Sequence, residues 1–307
     1  MKRIVKIVAC LLIFALILTN RLENIVIAST NNSGDVSDAG AIAKDDDIVV
    51  VSGQTLSFGS HYSGALTVDG SLYMWGDNGS GQVGNGNSEN QATPVKVLEN
   101  VESVSSGYYY SGAITKDGSL YMWGRNDSGQ VGNGNRLDQV IPVKVLENVE
   151  SVSLGDDHSG AITKDGSLYM WGDNWDGEVG DGSGLDNLTI PVKVLENVES
   201  VSLGYDHSGA ITKDGSLYMW GSNSDGEIGN GSGLNQITPV KVLENVASVS
   251  LGYYHSGAIT KDGSLYMWGC NSDGEIGNGS RLDQATPVKV LENVESVSLG
   301  YYHSGAI

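Results

Sequence analysis

Four histidines recur at a fixed spacing and are the first candidates for chemistry, because an imidazole can bind a metal ion or transfer a proton near neutral pH. They are His158, His207, His255 and His303, which lie 48 or 49 residues apart. The two preceding units of the same pattern carry Tyr62 and Tyr110 instead. A metal ligand with its supporting hydrogen bonds does not tolerate that exchange. We therefore expect His158, His207 and His255 to be buried structural side chains whose ring nitrogens bind backbone groups or a neighbouring hydroxyl.

Carboxylates are numerous, but nearly all of them recur in every unit at turn positions. The adjacent residues Asp156 and Asp157 are the one pair that breaks the repetition. Paired carboxylates can hydrolyse a glycosidic bond, yet two neighbours in one loop are expected to be solvated. We predict no catalytic residue, no cofactor and no enzymatic activity.

Two loops, residues 173–178 and 223–227, bring together oxygen atoms that could bind calcium. Their spacing departs from the EF-hand loop and from the calcium-binding nonapeptide repeat. We predict no metal site, and calcium remains the alternative that a loss of thermal stability on chelation would support.

Positions at which the units differ from one another are where function has most freedom. One such set is the residue pair that follows the glycine at the end of the first strand of each unit. Its candidate binding residues are Tyr108, Tyr109, Asp156, Asp157, Tyr205, Asp206, Tyr253 and Tyr254, with Ser60-His61 and Tyr301-Tyr302 in the outer units. Tyrosine presents a large contact area at little entropic cost, so we expect a protein-binding face. The alternative is that these tyrosines only shield the packing between units.

A second divergent set follows the repeated tryptophan and includes Arg125, Trp175 and Cys270. Trp175 is the one tryptophan outside the repeat column. An exposed indole could anchor a protein partner or a sugar ring, whereas the alternative is a locally packed loop residue.

The elements that must position these residues repeat along the chain. The motif W-G-x-N-x-x-G-[QE]-[VI]-G-[ND]-G recurs with tryptophans at spacings of 48, 48, 49 and 48 residues: Trp75, Trp123, Trp171, Trp220 and Trp268. Such a period is the signature of a repeat architecture, so we interpret these tryptophans as structural.

Each unit reads as four short antiparallel strands. From Val149, alternating residues predict a first strand that ends at Gly155, and two further strands meet across Asp165-Gly166. We expect a two-residue type I′ hairpin at this Asp-Gly link and at its equivalents. Proline opens the fourth strand, which suits a strand entrance or an outer edge.

Four strands in each unit of about 48 residues predict an all-β propeller. The predicted units are 48–100, 101–148, 149–197, 198–245 and 246–294, with a partial sixth unit at 295–307. An unpaired hairpin edge is unusual in a folded protein. We therefore expect the chain to continue beyond Ile307 and the blades to form an open arc or a poorly closed ring.

The motifs G-Y-Y-H-S-G-A-I at 252–259 and W-G-x-N-x-D-G-E-I-G-N-G at 268–279 resemble the repeat of the RCC1 (regulator of chromosome condensation) family. The resemblance covers nearly everything from Ile48 to Ile307 and implies a propeller, commonly of about seven blades. It also implies an interaction platform. One bacterial branch of the family inhibits β-lactamases, but no residues here match that inhibitor individually, and the eukaryotic namesake promotes guanine-nucleotide exchange.

The N-terminus predicts export. Lys2, Arg3 and Lys6 precede an apolar run, so residues 1–28 read as a signal peptide and 29–47 as a disordered linker. An uncleaved membrane anchor is the alternative, although the run is short for a spanning helix. If the signal peptide is removed, Cys10 goes with it and Cys270 has no partner for a disulfide.

The net charge of −20 disfavours nucleic-acid binding, because acidic surfaces repel phosphate. We therefore predict a secreted or cell-surface, non-enzymatic protein-binding module with no membrane contact beyond the signal peptide. The alternatives are exchange-factor activity like that of the namesake, which export disfavours because small GTPases are cytosolic, and adhesion through a glycan.

Overall fold

The computed structural model describes residues 43–44, 47–48, 53–184 and 186–307, and all regular structure in these ranges is β-strand. Strands β1 (Ala43–Lys44) and β2 (Asp47–Ile48) pair with each other within the predicted linker. The predicted signal peptide and residues 49–52, near the start of the first predicted unit, lie outside the described residues. No helix in the described ranges is long and apolar enough to cross a bilayer.

The remaining strands form five four-stranded blades and one two-stranded unit, which confirms the predicted propeller-type repeat. Blade 1 consists of β3 (Gly53–Phe58), β4 (Tyr62–Thr67), β5 (Leu72–Gly76) and β6 (Gln91–Leu98). Blade 2 consists of β7 (Val101–Ser106), β8 (Tyr110–Thr115), β9 (Leu120–Gly124) and β10 (Gln139–Leu146). Blade 3 consists of β11 (Val149–Leu154), β12 (His158–Thr163), β13 (Leu168–Gly172) and β14 (Leu188–Leu195). Blade 4 consists of β15 (Val198–Leu203), β16 (His207–Thr212), β17 (Leu217–Gly221) and β18 (Gln236–Leu243). Blade 5 consists of β19 (Val246–Leu251), β20 (His255–Thr260), β21 (Leu265–Gly269) and β22 (Gln284–Leu291), and the sixth unit consists of β23 (Val297–Leu299) and β24 (Ser304–Ala306).

Each blade is an antiparallel meander in which every strand pairs with its neighbours in sequence. In blade 3, Gly160 of β12 lies opposite Met170 of β13, which in turn lies opposite Val192 of β14. A Cβ atom on Gly160 would lie 2.7 Å from the sulfur of Met170. The glycine therefore makes room for the methionine side chain over the centre of the sheet.

The repeated proline lies inside the outermost strand rather than at its entrance. In blade 3 the fourth strand begins at Leu188, and Pro191 falls where the pairing with β13 shifts register between Gly172 and Met170. A β-bulge on an edge strand tolerates a residue that cannot donate a backbone hydrogen bond. The predicted outer edge is thus observed, with the bulge as the added feature.

The expected type I′ hairpin at Asp165-Gly166 is wrong. Ile162 pairs with Leu168, and the turn is closed by a 2.7 Å hydrogen bond from the Gly166 amide to the Thr163 carbonyl. Within this turn only Gly166 has a positive φ, of 82°. The loop is therefore longer than two residues, and the Asp165 carboxylate stabilises it by accepting a 2.6 Å hydrogen bond from the Thr163 hydroxyl.

The hydrophobic core lies between consecutive blades. Trp171 of blade 3 is fully buried against Met122 and Val131 of blade 2, and its indole N–H donates a 2.8 Å hydrogen bond to the Gln130 carbonyl. The equivalent bonds run from Trp123 to Gln82, from Trp220 to Glu178 and from Trp268 to Glu227. Trp75 of blade 1 is only partly buried. The tryptophans of blades 2 to 5 therefore each attach their blade to the blade before it.

The long loop between the third and fourth strands is organised by a buried asparagine. In blade 2, the Asn126 side-chain oxygen accepts a 2.9 Å hydrogen bond from the Val131 amide, and its nitrogen donates to the carbonyls of Asn135 and Leu137. This is the bridging role expected of a side-chain amide in a turn-rich loop. The arrangement fixes the loop ends that carry the divergent residues.

Blades pack in chain order around a common centre. Among the described residues no hydrogen bond joins blade 1 to the sixth unit, in agreement with the expected open arc or poorly closed ring. Strand β24, the second strand of the sixth unit, has all three of its residues exposed, whereas the second strands of the complete blades are mostly buried.

Candidate functional site

The two divergent sets of residues lie on one face. The amide of Asp173, which follows the tryptophan of blade 3, donates a 2.9 Å hydrogen bond to the carbonyl of Asp157 in the first loop of the same blade. Arg125 and Tyr109 are joined in the same way in blade 2, at 3.0 Å. We call this surface the loop face: it consists of the residue pairs after each first strand and the residues after each Trp-Gly pair.

A central cavity of about 780 Å³ opens at the loop face. It is lined by residues from all six units, among them Ser60, Tyr108, Asp156, Tyr205, Tyr253 and Tyr301. The repeat symmetry thus converts one variable position per blade into a ring around a shared concave surface. Such a cavity with a few polar groups is the kind of surface that binds a ligand or a protruding segment of a partner.

One side of the ring is a tyrosine sector. Tyr253 stacks on Tyr205 with ring centroids 3.7 Å apart and on Tyr301 at 4.7 Å. Tyr254 meets Tyr253 edge to face at 4.3 Å. Tyr301 and Tyr302 are 47% and 56% exposed, so this sector combines inter-blade packing with accessible aromatic surface.

Tyr108 and Tyr109 form a separate aromatic pair in blade 2, with centroids 4.4 Å apart in an edge-to-face arrangement. His61 lies 6.2 Å from Tyr109 and is exposed, as expected for a residue one position out of the histidine column. The two aromatic groups flank the acidic residues of blades 3 and 4.

Asp157 is neither exposed nor free, which corrects the expectation that this pair is simply solvated. Its carboxylate accepts a 3.0 Å hydrogen bond from the Arg125 guanidinium and a 2.9 Å bond from the Gln130 amide. Arg125 also pairs with Asp127 at 2.7 Å. Burial raises the pKa of Asp156 to about 7, and the neighbouring charge of Asp157 adds to that effect. Both side chains are partly buried, and Asp156 lines the central cavity.

A second carboxylate group surrounds Asp206 in blade 4. Glu178 is only 2% exposed, and burial, together with the charges of Asp173 and Asp206, raises its pKa to about 8. Burial also raises the pKa of Asp206 to about 7, assisted by the charges of Asp176 and Asp173. Among the groups of the described residues that act on Glu178 and Asp206, none is a cation.

The histidine column lies beneath the loop face in the protein interior. His158 Nε2 lies 2.9 Å from the Ser208 hydroxyl, and the same contact joins His207 to Ser256 at 3.0 Å. His255 makes it with Ser304 at 2.9 Å. Burial lowers the pKa of His158 to about 4 and that of His207 to about 3, so both rings are neutral at physiological pH.

Tyrosine replaces histidine in the first two units without loss of the inter-blade connection. The Tyr110 hydroxyl donates a 2.6 Å hydrogen bond to the carbonyl of His158 in the following blade. This exchange explains why the column accepts two different side chains: each reaches the next blade with one polar atom.

Trp175 is 68% exposed on the loop face, in the same loop as Asp173. Cys270 is partly buried and unbonded to another cysteine. Within residues 53–184 and 186–307, no three or more histidine, cysteine or acidic side chains are arranged to hold a metal ion.

Sequence reasoning considered Glu178 only as an oxygen ligand of the alternative calcium site, and it missed the pairing of Arg125 with Asp157. The signal for Glu178 was the alternation of Gln and Glu at one motif position, where blades 1 and 2 have Gln82 and Gln130. The Arg125 pair could not be read in the same way, because it joins residues 32 positions apart in different blades.

A family model described as the RCC1-like domain matches residues 2–306. The human protein WBSCR16 has a similar structure, with a TM-score of 0.71 and 23% identity over 82% of this chain and 70% of that one. Prp20p from Saccharomyces cerevisiae, studied for its binding to Gsp1p and histones, gives a TM-score of 0.71 and 24% identity over 80% of this chain and 66% of its own.

Sequence similarity to curated proteins is short. The X-linked retinitis pigmentosa GTPase regulators of Homo sapiens and Canis lupus familiaris are 55% identical to this chain over 42 residues. That segment is 14% of this chain and 4% of those proteins, so the chain spans a small part of the relatives' length. Because the RCC1-like family model covers nearly the whole sequence and the solved structures share its blades, the chain belongs to the RCC1-like domain family.

Proposed function

We propose that this protein is an exported, non-enzymatic module that binds another protein through its loop face. The fold supports protein binding in general, since an RCC1-type neighbour, yeast Prp20, forms a complex with the protein Kap60. Export is supported by the basic residues and apolar run at the N-terminus. A secreted or cell-surface location follows from that reading.

The observation that carries the proposal is the unequal distribution of side chains on the loop face. The blades are nearly copies of one another, yet this face has a tyrosine sector around Tyr253 and an acidic sector around Asp157 and Asp206. Residues that only maintained the fold would need no such difference between blades. Aromatic side chains at the centre of a concave surface are typical of the residues that dominate binding energy.

Two further functions have a specific observation in their favour. Trp175, with its 68% exposed side chain, could stack on a sugar ring. Prp20p, which was studied with Gsp1p, shares the fold at 24% identity, and this similarity makes guanine-nucleotide exchange the other alternative. Binding to a glycan array, or accelerated nucleotide release from a small GTPase, would support the respective alternative over protein binding.

The test is site-directed photo-crosslinking followed by binding measurements with the captured protein. A photoreactive amino acid is placed at Tyr254 on the loop face of the mature protein or, as a control, at Lys213 in the turn at the opposite end of blade 4. We expect a discrete crosslinked protein only from position 254, and about a tenfold loss of affinity for it when Tyr253 is replaced with Ala. Equal capture from both positions, or unchanged affinity of the Tyr253→Ala variant, would contradict the proposal.

A further inference from the structure

The Asp157 site shows how this fold satisfies a partly buried carboxylate at the boundary between two blades. Two side chains of blade 2 donate hydrogen bonds to Asp157 of blade 3: the Arg125 guanidinium at 3.0 Å and the Gln130 amide at 2.9 Å. Arg125 is the first residue after a Trp-Gly pair, and Gln130 is the variable residue of the repeat motif. One cation and one neutral donor thus surround one carboxylate.

At the next boundary, between blades 3 and 4, the equivalent positions hold no side-chain hydrogen-bond donor. In the repeat, Asp206 of blade 4 corresponds to Asp157, while Asp173 and Glu178 of blade 3 take the places of Arg125 and Gln130. Every group that could donate a hydrogen bond at the first site is therefore an acidic side chain at the second. We call the group of Asp173, Glu178 and Asp206 the three-carboxyl site.

The side chain of Glu178 is oriented like that of Gln130. Gln130 accepts a 2.9 Å hydrogen bond from the Ser128 amide through its oxygen, which leaves its nitrogen to face Asp157. Glu178 accepts the same 2.9 Å bond from the Asp176 amide through Oε2. Its Oε1 therefore corresponds to the donating nitrogen of Gln130, and among the described residues the donors to the Glu178 carboxylate are backbone amides, with no side-chain donor. The residue is only 2% exposed, and the charge of Asp206 contributes to its raised pKa.

Within residues 53–184 and 186–307, no positive group is among those that act on Glu178 or Asp206. The carboxyl groups that act on Asp206 are Asp173, Asp176, Asp156 and Asp157. The nearest positive group in this part of the face, Arg125, is already bound to Asp127 and Asp157. Asp176 has a neutral donor, since the Asn235 amide lies 2.7 Å from its carboxylate.

We propose that the three-carboxyl site binds an arginine side chain of the partner protein. This inference rests on the proposed function and names the chemistry of a partner side chain that reaches the loop face next to Tyr205, which lines the central cavity. The chain itself uses a guanidinium for the same purpose at the Asp157 site, which argues for arginine on grounds internal to the molecule. A guanidinium offers five donors in a planar fork, whereas a lysine ammonium is a compact charge.

The surroundings of the site suit a guanidinium. Tyr205 directly precedes Asp206 and stacks on Tyr253, so an aromatic surface borders the carboxylates. Guanidinium groups stack on aromatic rings while they pair with acids. A bound metal ion is the less suitable occupant, because no three histidine, cysteine or acidic side chains in the described ranges are arranged to hold one.

Binding of a cation should be coupled to proton release. The raised pKa values, about 8 for Glu178 and about 7 for Asp206, mean that the empty site holds protons near neutral pH. A bound guanidinium favours the ionised carboxylates and lowers both pKa values. Affinity is therefore expected to increase as the pH rises from about 6 to about 8.

The experiment titrates the mature protein with acetyl-Gly-Arg-Gly-amide, and in parallel with the same peptide in which neutral citrulline replaces arginine. Binding is followed by NMR through the indole N–H of Trp175, which lies in the same loop as Asp173, with the buried indole of Trp268 as the internal reference. We expect the arginine peptide to bind about tenfold more tightly than the citrulline peptide, and more tightly at about pH 8 than at pH 6.

Glu178→Gln is the diagnostic variant, because glutamine is native at this position in blades 1 and 2. It should weaken arginine binding about tenfold. Glu227→Gln is the matched control: Glu227 accepts a hydrogen bond from the Asp225 amide in the same way, but Ser222 and Tyr254 occupy the positions of Asp173 and Asp206. It should leave binding unchanged. A double variant, Asp173→Arg with Glu178→Gln, copies the blade 2 donors and should abolish binding by filling the site from within.

Equal binding of the two peptides, no binding of the arginine peptide, or equal effects of the Glu178 and Glu227 variants would overturn the inference. The protein-binding function would survive any of these results if crosslinking from position 254 and the effect of Tyr253→Ala still held. Conversely, arginine binding that depends on Glu178, without a protein captured at the loop face, would refute the proposed function alone.

Discussion

The wild-type protein should lose stability as the pH rises from about 6 to about 9, and replacing Glu178 with Gln should make this loss much smaller. Burial and the charges of Asp173 and Asp206 raise the pKa of Glu178 from 4.5 to about 8 in the folded protein. The folded state therefore binds a proton that the unfolded state has already released. The stability gained from this proton is fully present below pH 4.5 and is lost as the pH rises through 8.

The magnitude follows from the pKa. Between about pH 6 and the folded pKa lie about two units, and each unit corresponds to about 1.4 kcal/mol, so the loss attributable to Glu178 is about 2–3 kcal/mol. Urea denaturation at both pH values measures it as the difference in the free energy of unfolding. The variant should resemble the wild type at pH 6 and exceed it in stability at pH 9, because glutamine fits this position in two other blades.

The control for this prediction is Glu196→Gln, which removes the same charge from a side chain that is 69% exposed in an ion pair with Lys193. It should leave the pH dependence unchanged, because exposed pairs contribute little to stability. The reasoning would be refuted if Glu178→Gln and wild type lost the same free energy of unfolding between the two pH values.

Three further predictions concern the contacts between blades. Trp171→Phe should lower the free energy of unfolding by about 2–3 kcal/mol, because it deletes a buried hydrogen bond and leaves a cavity. The same change at the partly buried Trp75 should cost about 1 kcal/mol or less. Equal losses in urea denaturation would argue against the inter-blade role of the indole. Burial lowers the pKa of His158 from 6.5 to about 4, so the stability that this neutral ring contributes above pH 6.5 is lost as the pH falls towards 4. His158→Tyr should reduce the loss of unfolding free energy between about pH 6.5 and pH 5 by about 1.5 kcal/mol. The same loss in the variant and the wild type would contradict this. Gly132→Ala should lower the free energy of unfolding by at least about 2 kcal/mol more than Gly134→Ala. Both glycines have a positive φ, but only at Gly132 would the added Cβ atom lie 2.6 Å from the indole of Trp171. Equal melting temperatures of the two variants would show that backbone strain alone accounts for the destabilisation.

The repeat made most of the fold predictable from the sequence. Strand positions, blade number and the outer position of the proline strand all follow from local patterns that are written five times. The turn between the second and third strands of each blade was predicted wrongly because an Asp-Gly pair is compatible with two turn geometries. Which one forms depends on the register of Ile162 with Leu168 and on the Asp165 side chain.

The candidate site was predictable only in part. Variation between units identified Asp157 and Asp206, since it requires no knowledge of contacts. The bond from Arg125 to Asp157 crosses between blades, and the protonation of Glu178 depends on its burial. Neither property is a feature of a local pattern, so both needed the packed structure.

The tryptophans of blades 2 to 5 each bind the preceding blade through the same hydrogen bond, so the four interfaces among blades 1 to 5 share one contact and one direction. A gene segment that encodes one whole unit could therefore be duplicated or lost without creating a new kind of junction. Evolution by unequal recombination would change the circumference of the arc and the order of its variable residues in a single step. In such a protein, ligand specificity can be revised by shuffling complete units, while the rules that hold neighbours together stay constant.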